Sequence, residues 1–245
     1  MNSFKLTPCN ISFKSNPKKV PAFSGEKPAA NPLEIPDQYL SSESKNKTVT
    51  ICGLSRNADS IKEYTTKTHD TAKELVNRGY NVLTGCGDKG IMGAAYMGAS
   101  SAEKDKENPE HNLALLVNPL WGDEDTKHCK VIGKPASSEV DRTQNGFLNV
   151  SKNLLIFPGG AYSIVEAAIA IANNKYRPKN TPPLNIFLVG KDYYQGLVKQ
   201  YDDMDKKHDT LGEKRENLFK VIEPEDVLKE FPDLKRSERK LEITA

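Results

Sequence analysis

Long apolar runs are missing from this chain of 245 residues. No stretch approaches the roughly 18 apolar residues of a membrane-spanning helix, so no membrane partner is expected. A charge excess is missing too: 35 Lys and Arg stand against 33 Asp and Glu, a net +2. Such balance does not mark a nucleic-acid binder, whose phosphate contacts call for a basic surface. The four cysteines (Cys9, Cys52, Cys86, Cys129) form no CxxC pair, and His69, His111, His128 and His208 give neither HxxxH nor HExxH. No metal site is therefore expected, and the thiols read as ordinary reduced ones of a cytoplasmic protein. The N-terminus lacks the apolar core of a signal peptide. What is present, 37% hydrophobic residues, is ample for one sizeable α/β domain and thin for two.

Residues 1–46 hold six of the 15 prolines, mixed with Lys, Ser and Asn, without apolar periodicity. They read as a disordered or loosely draped arm. A transit peptide fits less well, because the stretch has no Arg and four acids. The domain is expected over 47–232 and a charged tail over 233–245. Inside the domain, short β-branched runs such as "KTVTICGLS" (47–55), "YNVLTG" (80–85), "NLALLVN" (112–118), "NLLIF" (153–157) and "LNIFLVG" (184–190) alternate with helical patterns. That alternation predicts a Rossmann-like, doubly wound parallel sheet with helices on both faces. Ligands of such folds sit at the carboxyl ends of the strands.

Two glycine turns fall at such ends. In "TGCGDKGIMGAAYMGA" (84–99), Gly85, Gly87 and Gly90 satisfy GxGxxG, but on the second strand, whereas a dinucleotide fold places the motif on its first. The turn is better read generically, as glycines that let backbone N–H groups and a helix N-terminus approach an anion. The second turn, in "NLLIFPGGAYSIVEAAIAIANNKY" (153–176), joins a strand to an Ala-rich helix through Pro158-Gly159-Gly160. Its makeup, with Ser163 close behind, is that of a phosphate cradle, and equally of a plain tight turn. Glu166 stands alone in an apolar helix that should be buried. It is either a first-turn carboxylate favoured by the helix dipole or a group facing a ligand.

Together, a strand ending in PGG, a Glu seven residues after the first Gly, the GxGxxGxM-like turn and an Arg-bearing helix before PGG resemble the LOG family. These are Rossmann-like phosphoribohydrolases of nucleoside 5′-monophosphates, and the resemblance runs from about Lys47 to Phe231. It implies that Gly159, Gly160 and Ser163 hold the phosphate and that Glu166 is the catalytic glutamate. Gly87, Gly90, Met92 and Gly93 fall on the first turn, Gly53 and Ser55 on the Gly-Ser after strand one, and Arg142 on the catalytic arginine. Tyr162 occupies the position of the family's third glycine. Arg142 lies one residue too far from PGG, which would aim it about 100° away unless a one-residue bulge intervenes. Homologues of the family are often labelled lysine decarboxylases, and nothing in this sequence supports pyridoxal phosphate or any other cofactor.

The implied reaction is hydrolysis of an AMP-like or cytokinin-like nucleotide to free base and ribose 5-phosphate, through an oxocarbenium-like sugar. Glu166 would stabilise that cation or orient water, and Arg142 would fix phosphate or ribose oxygens. Asp141 and Glu139 read as solvated surface acids. Trp121 either stacks on a base or packs. The alternative is a non-catalytic sensor or carrier of the same fold. A homodimer covering part of the helix after Gly160 is also implied.

Overall fold

The computed structural model describes residues 31–103, 109–118 and 126–235. The expected arm up to residue 30, the end of the expected tail (236–245) and Trp121 lie outside the described residues.

Seven strands form one parallel sheet: β1 Thr48–Cys52, β2 Asn81–Thr84, β3 Asn112–Ala114, β4 Lys130–Val131, β5 Asn153–Ile156, β6 Asn185–Val189 and β7 Lys220–Ile222. Their order is β4-β3-β2-β1-β5-β6-β7. The chain builds outward from β1 to one edge, then returns to pair β5 with β1 and builds to the other. The expected Rossmann-like architecture is thus observed, with its switch point between β1 and β5.

Side-chain alternation divides the core in two. Val49, Ile51, Leu155 and Phe157 pack on one face with Leu75 and Val76 of α3 (Lys62–Asn77) and Ile91 of α4 (Gly90–Ala102). Cys52, Leu154 and Ile156 pack on the other with Ala167, Ala170 and Ile171 of α7 (Ala161–Tyr176) and Tyr194 of α8 (Lys191–Lys206). Strands buried on both faces explain their near-continuous apolar runs.

Residues 31–46 are not an arm. Leu33, Ile35 and Tyr39 are buried in the α7-side core, and two short helices, α1 (Asp37–Leu40) and α2 (Ser42–Lys47), lead into β1. Asn31 receives the Ile35 N–H and donates to its carbonyl, and the Lys134 N–H donates to Leu33 O at 2.6 Å. Three apolar side chains among prolines and polar residues are too few to produce a periodic signal, yet enough to seal one end of the core.

Helix α7 is also only partly as expected. Ser163, Glu166, Ala167, Ala170, Ile171 and Asn174 form its buried stripe, at helical spacing. Ile164, Val165 and Tyr176 on the opposite side are exposed, as is Tyr162 beside the stripe.

Candidate functional site

The carboxyl ends of β1 and β5, flanking the switch point, open into a cavity of about 410 Å³. Gly53 and Ser55 after β1, Gly87 and Met92 from the first glycine turn, Arg142, and Tyr162, Ser163 and Glu166 of α7 all line it. Eight of the residues expected from the sequence therefore meet in one place. Gly90, Gly93, Gly159 and Gly160 do not line it, and three of these shape its walls.

Gly90 and Gly93 act through close packing. A Cβ on Gly90 would lie 2.2 Å from Leu54 O, and one on Gly93 would lie 2.3 Å from the Asp88 carbonyl carbon. The α4 N-terminus is occupied by its own chain: Ile91 N–H donates to Leu54 O at 2.7 Å and Gly90 N–H to Asn57 Oδ1 at 3.0 Å. The first turn therefore does not offer a helix N-terminus to an anion, contrary to the sequence reading. Its role is to hold the β1 loop against α4.

The second turn differs. The first bond within α7 is from Ile164 N–H to Gly160 O, so the N–H groups of Ala161, Tyr162 and Ser163 precede the helical ladder and have no acceptor within it. Gly159 is required by space, because its Cβ would sit 1.9 Å from Ser163 Oγ. The Tyr193 hydroxyl donates to Gly159 O and steadies the turn from α8. Tyr162, at the third-glycine position, is about half exposed at the cavity wall.

Glu166 is the sixth residue of α7, a full turn beyond the N-terminus. The dipole of the first turn has faded there, which removes helix capping as its explanation. Its side chain is buried at 5% exposure. Burial is the main cause that pushes its pKa up to about 7; Glu139 adds to the rise, while Arg142 and a hydrogen bond from the Cys52 thiol oppose it. Cys52, wholly buried at the end of β1, is itself pushed well above the usual thiol range, first by burial and then by the Glu166 charge.

Arg142 reaches this cavity because of a π-helical segment. The helix before β5 runs as α5 (Glu139–Asp141), a π stretch (Arg142–Phe147) and α6 (Leu148–Val150). A π-bulge accommodates one extra residue, and this one starts at Arg142, where the sequence left room for a bulge. Arg142 is 3% exposed, and its guanidinium pairs with Glu139 and lies over the Phe147 ring at 5.1 Å. Its Nε has no partner among the described residues.

Glu139 was not expected here. It lines the cavity and holds Arg142, rather than lying on a solvated surface. The i, i+3 spacing to Arg142 is the signal that could have found it. Asp141 does have the ordinary role: it accepts from the Ser137 N–H and hydroxyl and from Asn145. Gly85, Cys86, Asp88 and Lys89 complete the lining.

Comparison with known proteins adds a fold. No protein-family profile matches the chain, and no curated protein matches it. Among solved structures, it is similar to the molybdenum cofactor binding protein of the phototrophic bacterium Rippkaea orientalis. The two share 16% identity with a TM-score of 0.51, over 75% of this chain and 94% of the other. No helix among the described residues is long and apolar enough to cross a membrane.

Proposed function

We propose that this chain hydrolyses the N-glycosidic bond of a nucleoside 5′-monophosphate, releasing free base and ribose 5-phosphate, as its resemblance to the LOG family implies. One observation carries the reading. A buried carboxyl with a pKa pushed up to about 7 shares a cavity with a buried arginine, on a helix whose first N–H groups have no acceptor in its ladder.

Each group has a role that its surroundings favour. The 5′-phosphate docks on the N-terminus of α7, where N–H groups and the dipole favour an anion. That binding energy, remote from the bond that breaks, positions the ribose over Glu166. The ionised Glu166 takes a proton from the attacking water or stabilises the positive sugar, and a pKa of about 7 suits a base at neutral pH. Arg142, fixed by Glu139 and Phe147, lines the cavity and offers its guanidinium to a ribose or phosphate oxygen.

A second reading, a nucleotide-like ligand carrier without turnover, draws on two observations. Tyr162 stands where the family has a glycine, and the similar solved protein is described as binding a cofactor. Release of free base from AMP, GMP, CMP and UMP, compared between wild type and Glu166→Ala, separates them. The hydrolase reading expects release by wild type and a loss of about 10²–10⁴-fold in the variant. Binding of AMP with no release from any of the four would support the carrier.

A further inference from the structure

Two thiols meet at the edge of this cavity. Cys86 Sγ and Cys129 Sγ lie 2.9 Å apart although the residues are 43 positions apart in sequence. Cys86 sits between Gly85 and Gly87, in left-handed backbone with φ +64°, and lines the cavity. Cys129 immediately precedes β4 and is nearly buried, with Tyr96 and Ala114 packed in the same small cluster. A left-handed non-glycine residue is uncommon and held by its surroundings. Here the Cys86 N–H donates to Thr84 Oγ1 at 3.1 Å, which fixes the turn and aims the thiol toward Cys129.

From this we infer that Cys86 and Cys129 form a reversible dithiol–disulfide site in the cavity wall, oxidised by a small peroxide. A bond of about 2.05 Å needs less than ~1 Å of sulfur movement from the present contact. The cavity that Cys86 lines gives hydrogen peroxide a path to it. The Cys86 sulfur attacks one peroxide oxygen; the S–O bond forms, the O–O bond breaks, and hydroxide leaves with the Cys86 proton as water. Cys129 sulfur then attacks the sulfenic sulfur of Cys86. The S–S bond forms, the S–O bond breaks, and the second hydroxide leaves with the Cys129 proton as water. Two thiols are oxidised to one disulfide and one peroxide is reduced to two waters.

The consequence reaches the site. Gly85, next to Cys86, packs against Arg142 so closely that a Cβ would lie 2.1 Å from its Nη1. Linking Cys86 to Cys129 ties this turn to the β4 edge of the sheet and couples the cavity wall to redox state. The other two cysteines are differently placed: Cys52 is wholly buried under Glu166, and Cys9 lies outside the described residues.

The test treats the folded, full-length protein with hydrogen peroxide, alkylates the remaining thiols and maps linked peptides by mass spectrometry. The expected result is a Cys86–Cys129 cross-link, lighter by two hydrogens than the reduced peptides and restored by dithiothreitol. Either Cys86→Ser or Cys129→Ser abolishes it, and the oxidised wild type melts at a higher temperature. Alkylation of both thiols after peroxide would overturn the inference. So would Cys86 ending as an unlinked sulfinic acid or joined to Cys9. Because wild-type mapping decides the matter, a variant that misfolds does not weaken the test.

Discussion

Glu166 carries a contradiction that can be measured. A carboxyl buried among Cys52, Arg142 and Glu139 is held near pKa 7 in the fold against 4.5 for an ordinary glutamate. A raised folded pKa means that the native state binds more protons than the unfolded chain between these values. Stability is therefore full below about pH 4.5 and falls as pH rises through 7, by about 3 kcal/mol in all. Glu166→Gln removes the buried charge, and we expect it to raise stability at pH 8 by about 1–3 kcal/mol while abolishing base release. Denaturant unfolding at pH 5 and pH 8 checks this, since the gain should shrink at the lower pH. A stabilised but inactive variant marks a residue kept for function. Neutral or lower stability at pH 8 would mean that the carboxyl is not buried in its charged form.

The same carboxyl sets the pH profile. If ionised Glu166 acts, kcat/KM for a nucleotide rises with pH through an apparent pKa of about 7. Arg142 lowers the Glu166 pKa, so Arg142→Ala should move that limb to higher pH as well as weaken binding. An Arg142→Ala limb at unchanged or lower pH would dissociate the two residues. Glu139 acts in the opposite sense, and Glu139→Gln should shift the limb downward while leaving Arg142 less firmly held.

At the scale of elements, the most informative piece is the helix before β5. Its sequence, "VDRTQNGFLNVS", reads as one helix in which Arg142 reaches the site only if a one-residue bulge intervenes. The π segment Arg142–Phe147 supplies that bulge. Sequence can register that a residue is in excess, but where the excess is absorbed depends on packing, here on Phe147 beneath the guanidinium. The strands were legible because a sheet buried on both faces leaves unbroken β-branched runs. Glu139 and the Cys86–Cys129 contact were not, because one needs the helix direction and the other a 43-residue closure. The segment at 31–46 was hidden by its prolines and polar residues, which outnumber Leu33, Ile35 and Tyr39.

Two glycines of the first turn make separable predictions. Gly85→Ala would place a methyl 2.1 Å from Arg142 Nη1 and 2.6 Å from Met92 Cε. It should cost activity more than stability, since flexible side-chain ends yield. Gly93→Ala meets Asp88 backbone at 2.3 Å and should cost about 1–3 kcal/mol of stability, as overpacking does. Thermal unfolding beside base release distinguishes the two, and equal stability losses would contradict the assignment of the Gly85 contact to the site.

Over the whole molecule, the switch point places the cavity where parallel α/β sheets bind ligands, while α7 connects that cavity to an uncovered surface. Ile164, Val165 and Tyr176 lie exposed on its outer side, with Tyr176 80% exposed, and apolar patches of this kind mark interaction surfaces. The homodimer implied by the family resemblance would cover them. Light scattering should then report a dimer for wild type and a monomer for Ile164→Glu. A wild-type monomer at high concentration would remove the second subunit from the account.

The central claim is tested most directly by incubating wild-type protein and Glu166→Gln with AMP and quantifying adenine and bound nucleotide in the same samples. Hydrolysis predicts stoichiometric adenine and ribose 5-phosphate from wild type, and AMP bound without adenine from the variant. AMP bound by both proteins with adenine from neither would contradict hydrolysis and make the cavity a nucleotide carrier's pocket.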